Sequence, residues 1–148
     1  GSSDMSGADR TPLTAEAVQE MLDASPFIAF LGLTVTEADA GTGRVAMTMP
    51  MRPELERGGP MQRQFHGGPV AALIDTAGDF AVAVAVGGGV PTMNFRVDYL
   101  RPSGGAALTA TATARRIGRT VAVVDVDVTD AEGRLTAVGR GTYSTQVG

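Results

Sequence analysis

Apolar positions change their period along this chain, and each change marks an element. Over 14–24 (TAEAVQEMLDA) they fall at Ala17, Val18, Met21 and Leu22. That spacing predicts a helix with Thr14 as its N-cap, ended by Pro26. Segments 33–38 and 44–49 read as two strands joined by a turn at Gly41 and Gly43, with Val45, Met47 and Met49 alternating with Ala46 and Thr48 in the second. Residues 50–64 hold three prolines and a glycine pair, which predicts a loop. Then Val70, Leu73, Ile74, Ala77, Ala81 and Val84 form one stripe, and the opposite face is also mostly Ala and Val. A helix apolar nearly all round is buried nearly all round. Glycines at 87–89 stop it.

From there the period is two. Strands are predicted over 91–100, 106–116, 120–129 and 135–145, the last two joined by a turn at 130–134 (DAEGR). In the second of these, Leu108, Ala110, Ala112 and Ala114 alternate with Thr109, Thr111, Thr113 and Arg115. The alternation slips between Val123 and Val124, which predicts a bulge there. The order is short helix, two strands, long buried helix, then antiparallel strands. It predicts an α+β fold in which one sheet curls around one helix. Such a sheet leaves edges and a face needing cover, so at least a dimer is expected. Residues 1–9 read as a polar, flexible tail and 10–148 as one domain.

Composition narrows the chemistry. A net charge of −4 argues against a general nucleic-acid binder. With no cysteine, disulfides, thiolate nucleophiles and Cys-ligated metals are excluded, and a single histidine makes an all-protein zinc site improbable. The N-terminal stretch lacks the basic and apolar regions of a signal peptide, and Asp75 and Asp79 interrupt the longest apolar run. A cytoplasmic protein that does not span a membrane is the expectation. Every basic residue is Arg, the better bidentate phosphate ligand.

The chemistry-bearing stretch is FHGGPVAALID, residues 65–75. Asp75 and Asp79 are four apart and share a helix face. That face meets water or an Arg partner, or it lines a cleft where a carboxylate serves as base or nucleophile. Gly67 and Gly68 admit close approach to the backbone, and Pro69 suits a first helical turn. Free N–H groups there would favour a carbonyl oxygen gaining negative charge. HGGP read alone is equally a tight turn with His66 as a cap.

Three stretches taken together, FHGGPVAALIDTAGDFA, VPTMNFRVDYLRP and RRIGRTVAVVDVDVTDAEGRLTAVGRGTY, resemble the PaaI-like acyl-CoA thioesterases of the hotdog-fold superfamily. The resemblance implies a hotdog fold, a homodimer often paired into a homotetramer, and active sites at the subunit interface. It implies hydrolysis of an acyl-CoA thioester to acid and free CoA, without metal or redox cofactor. Asp75 matches the catalytic carboxylate, as nucleophile or as general base. Gly67 matches the N–H donor to the thioester carbonyl, and His66 the histidine that orders the loop. Thr92 matches a hydroxyl that positions water or the carboxylate from the partner chain. Arg116, Gly118, Arg119 and Thr120 match the turn that meets the CoA phosphates. Many members carry Asn six residues before the His and Gly three before it. Here these positions are Pro60 and Arg63, and Gln64 is the substitute amide. Two further readings stay open: an acyl-CoA-binding protein without turnover, and a hydratase or dehydratase of acyl thioesters.

Overall fold

The computed structural model describes residues 11–148, so the tail predicted over 1–9 lies outside the described residues. Helix α1 (Ala15–Ala24) starts where predicted, with the Thr14 hydroxyl accepting the Ala17 N–H at 3.1 Å. Pro26 ends α1 and also opens a second short helix, α2 (Pro26–Leu31), which the helical spacing before it did not foretell. Proline fits a first helical position, and Gly32, at φ 73°, terminates α2.

Strands β1 (Thr34–Asp39) and β2 (Arg44–Pro50) follow as expected. The predicted loop over 50–64 is more ordered than that: a 3-10 turn (Pro53–Leu55) leads into a small hairpin of β3 (Glu56–Gly58) and β4 (Met61–Phe65). Its prolines sit outside the paired positions, and positive φ at Gly58 and Gly59 makes the turn. The long helix is α3 (Gly67–Val86), closed by Gly87 at φ 93°. Then come β5 (Thr92–Tyr99), β6 (Ala107–Ile117), β7 (Val121–Asp130) and β8 (Leu135–Ser144).

Six strands form one antiparallel sheet in the order β1-β2-β6-β7-β8-β5, curled over α3. Val45, Met47 and Met49 of β2, the alternate positions of β6 and β7, and Leu73, Ile74, Ala77 and Ala81 of α3 make the core. Alanines on β6 and Gly139 on β8 bring the helix close. A Cβ at Gly139 would lie 2.6 Å from Ile74 Cγ2. Met47 and Met49 are core, while Met61 and Met93 are exposed. Although α3 is long and apolar enough to cross a membrane, it is the buried centre of this sheet.

The bulge predicted between Val123 and Val124 lies instead on the neighbouring strand. Ala114 pairs with Val124 and Arg116 with Val123, so Arg115 of β6 is the extra residue. Strand β7 keeps its alternation, with Ala122, Val124, Val126 and Val128 all inward. Val123 is simply an apolar residue on the outer face.

The sheet's two edges differ. On β1, Gln19 of α1 accepts the Val35 N–H at 2.8 Å and donates to the Leu33 carbonyl at 3.0 Å. One side chain thus satisfies edge groups that a neighbouring strand would otherwise take. The outer side of β5 has no such cover among the described residues, and Met93, Tyr99 and Leu100 along it are all more than half exposed.

Candidate active site

The N-terminus of α3 is built by the hairpin before it. Phe65 is buried, and the His66 N–H donates to the Leu55 carbonyl at 2.8 Å. His66 is the N-cap: its Nδ1 accepts the Gly68 N–H at 3.0 Å, leaving Nε2 as a donor. The Gly67 carbonyl accepts the Tyr99 hydroxyl at 2.7 Å. The Gly67 N–H, first of the helix, has no acceptor among the described residues. It points from the positive end of the helix dipole, where an oxygen gaining charge is favoured. Gly67 borders a cavity of about 440 Å³.

Asp75 lies two turns further along. Its Oδ1 accepts the Thr92 hydroxyl at 2.9 Å. No Arg pairs with it among the described residues, so its remaining lone pairs face a second cavity, of about 340 Å³. Asp79 and Phe80 line the same cavity, with Val90 and Pro91 opposite. Asp79 accepts the Val90 N–H at 3.3 Å. Burial pushes its carboxyl up to about 7; the Val90 bond opposes this and the Asp75 charge adds to it. Behind Asp75, the Tyr143 hydroxyl donates to its backbone carbonyl at 3.2 Å. Burial, reinforced by the charges of Asp75 and Asp79, raises the Tyr143 phenol well above its ordinary value.

Within a single chain the expected residues therefore fall into two groups. Gly67 and Asp75 are eight residues apart, roughly 12 Å along a helix axis, and border different cavities. Thr92, matched to a hydroxyl that positions water or the carboxylate from the partner chain, bonds Asp75 within the chain. Gln64 stands beside His66, but its amide oxygen is taken by Arg57 Nη1 at 3.1 Å. Arg116, Gly118, Arg119 and Thr120 make the exposed β6–β7 turn, closed by the Gly118 N–H on the Val121 carbonyl at 2.9 Å. That turn is anchored. Thr145 Oγ1 donates to the Arg119 carbonyl at 2.6 Å, and the Thr145 N–H to Thr120 at 3.0 Å. Next door, the Ser144 N–H donates to the Pro91 carbonyl at 2.9 Å, which ties the turn to the Asp75 end.

Tyr143 and Tyr99 were not singled out from sequence. A signal for Tyr143 was present: Gly78 interrupts a helix interior, where glycine costs about 1 kcal/mol. A Cβ there would overlap the Tyr143 hydroxyl, and one at Gly141 would as well.

Known proteins agree with this architecture. The family model described as "Thioesterase superfamily" matches residues 64–137, from β4 into β8. A provisionally named esterase of Halobacterium salinarum is 38% identical over 94% of this chain and 96% of its own length. Acyl-coenzyme A thioesterase PaaI of Escherichia coli is 32% identical over 75% of this chain and 76% of its own. Its solved structure superposes with a TM-score of 0.76 over 90% of this chain and 92% of that one, at 25% identity. A crystal structure of another thioesterase-superfamily protein reaches a TM-score of 0.81 at 37% identity, covering 88% of this chain and 96% of that one. The chain belongs to the thioesterase superfamily. It has the hotdog fold of the PaaI-like branch and is a thioester hydrolase.

Proposed function

We infer that this protein hydrolyses acyl-CoA thioesters at a site shared by two copies of the chain. The observation that carries the reading is Asp75: a helix carboxylate oriented by one hydroxyl, without a counter-ion among the described residues, and open to a cavity.

The open β5 edge supplies the second copy. Antiparallel pairing of β5 with β5 of a partner subunit, about a twofold axis between Phe95 and Arg96, sets Thr92 opposite the partner's Tyr99. Thr92 holds Asp75 and Tyr99 holds Gly67. One carboxylate and the other chain's helix N-terminus then face a common cleft, which neither chain can make alone. The thioester oxygen accepts the Gly67 N–H, and charge develops on it as the carbonyl carbon is attacked. Asp75 either attacks that carbon directly, so that the C–S bond breaks, CoA leaves as thiolate and water then hydrolyses the mixed anhydride, or takes a proton from the water that attacks, CoA again leaving as thiolate and receiving that proton. Thr92 fixes the carboxylate, and His66 fixes the helix N-terminus. Arg116, Gly118, Arg119 and Thr120, on the Asp75 side, meet the CoA phosphates, as guanidinium–phosphate pairing favours. The chemistry needs only water, the carboxylate and a backbone N–H.

The test is thiol release from a panel of short, medium, long and aryl-acetyl CoA esters by wild type and Asp75→Asn. Release that collapses by roughly a hundredfold in the variant supports the reading. CoA esters that bind the wild type without thiol release would make this an acyl-CoA-binding protein instead.

A further inference from the structure

We propose that Arg57 and Arg101 form a cationic clamp in the cavity beside Gly67, and that this clamp selects acyl groups carrying a negative charge a few carbons from the thioester. The proposal rests on the thioesterase reading and specifies its substrate class.

The two guanidiniums come from separate elements, Arg57 from β3 and Arg101 from the segment after β5, and both border the same cavity. Neither has an acidic partner among the described residues; Arg44, Arg96, Arg115, Arg134 and Arg140 do, while Arg52, Arg63, Arg116 and Arg119 do not, and of these unpaired arginines only Arg57 and Arg101 line this cavity. Arg57 is nonetheless held in place. Its Nη1 donates to the Gln64 amide oxygen at 3.1 Å, a neutral acceptor that fixes the head and leaves its charge uncompensated. Gln64 is thus a positioning residue for Arg57. Val70 and Leu100 give the cavity an apolar wall, which strengthens a charge–charge contact beside them. In a chain of net charge −4, two cations without acids around one cavity are arranged to receive an anion.

Length decides which anion. A cavity of about 440 Å³ is roughly 9 Å across if spherical, within the usual range for small ligands. The phosphates of CoA sit about four residue-lengths of chain from the thioester, roughly 13 Å when extended. With the carbonyl at Gly67, the cavity is too short for the phosphates and suits a carboxylate on a short acyl chain.

The experiment compares thiol release from matched pairs, succinyl against butyryl and glutaryl against valeryl. Each acyl group is offered both as the CoA ester and as the N-acetylcysteamine ester, which lacks phosphates. The readout is the ratio of kcat/KM, carboxylated over neutral, for wild type, Arg101→Gln, Arg57→Gln and Gln64→Ala. The expected wild-type ratio is at least about tenfold on both carriers. It falls toward one in the two arginine variants and part of the way in Gln64→Ala. A ratio near one in wild type overturns the proposal. So does a loss in the arginine variants that is confined to CoA esters and equal for both acyl types, since the arginines would then be reading the phosphates. Turnover of the neutral esters reports separately on the thioesterase reading. If no ester turns over, protection of the wild type against thermal unfolding by glutarate but not valerate, lost in Arg101→Gln, tests the clamp alone.

Discussion

The Thr92 hydroxyl donates to Asp75 Oδ1 at 2.9 Å, and this one bond ties the open edge strand to the central helix. It fixes which lone pairs of the carboxylate face the cavity. Removing it frees the carboxylate to rotate while leaving the helix intact. Thr92→Ala is therefore expected to lower kcat by about tenfold with little change in KM. Thr92→Ser, which restores the donor, should recover most of the loss. Equal defects in the two variants would assign Thr92 to packing.

A shared site makes a second prediction that a site within one chain does not. Gly67→Pro deletes the proposed donor at a first helical position, where proline is tolerated. His66, at φ −59° and ψ 149°, already has the backbone a residue before proline prefers. Gly67→Pro and Asp75→Asn should each be inactive alone. Unfolded together and refolded as a mixture, half of the dimers are mixed, and each mixed dimer holds one intact site. About a quarter of wild-type activity should return. A mixture as inactive as its components would place Gly67 and Asp75 in a site within one chain.

Much of this arrangement was legible in the sequence where one period persists. The long apolar run of α3, the alternation of β6 and the capping Thr14 each report a local preference that the fold keeps. The hairpin of β3 and β4 was hidden because its strands are short and prolines surround them. Helix α2 spans only Pro26–Leu31, too few residues for a period to show. The bulge was misplaced because Val123 is apolar on an outward position, so hydrophobicity and orientation disagree there. The site divided in the same way. His66, Gly67 and Asp75 lie in one contiguous motif and could be read together. That Gly67 and Asp75 border different cavities follows from helix rise and from which edge of the sheet is open, and neither is a property of a motif.

Asp79 gives the chain a pH-dependent stability whose sign is set by burial. Its carboxyl is pushed up to about 7 in the folded chain, from an ordinary value of 3.8. Between those values the folded chain holds a proton that the unfolded chain has released. Stability from this group is fully present below about pH 4, falls as pH rises toward 7, and is flat above. Asp79→Asn keeps an acceptor for the Val90 N–H and removes the buried charge. It should flatten this slope and be more stable than wild type at pH 8, by a few kcal/mol at most. Asp125 acts in the opposite sense. Its hydrogen bond to Arg140 lowers its carboxyl, so its contribution is lost only as pH falls below the ordinary carboxylate range. Urea melts between about pH 5 and 8 therefore isolate Asp79. Parallel profiles for wild type and variant would show that the carboxyl is ionised throughout.

Arg63 holds a backbone conformation that suits glycine. Its φ is 62°, and it is the one non-glycine residue with positive φ among those described. Both sides of the peptide are locked: its N–H donates to Glu56 Oε2 at 2.6 Å, and its carbonyl accepts the Gly105 N–H at 3.1 Å. These bonds hold β4 against the segment that carries Arg101, so the strained residue supports the loop leading to His66. A left-handed conformation costs a side-chain-bearing residue about 1 kcal/mol or more, partly offset by the greater freedom glycine has when unfolded. Arg63→Gly should accordingly raise the unfolding temperature by about 2 °C, and Arg63→Val, with a branched Cβ, should lower it by more than that. The order Gly above Arg above Val, measured by thermal melts, is the signature of backbone strain. A destabilised Arg63→Gly would mean that the guanidinium, rather than the two backbone hydrogen bonds, secures this loop.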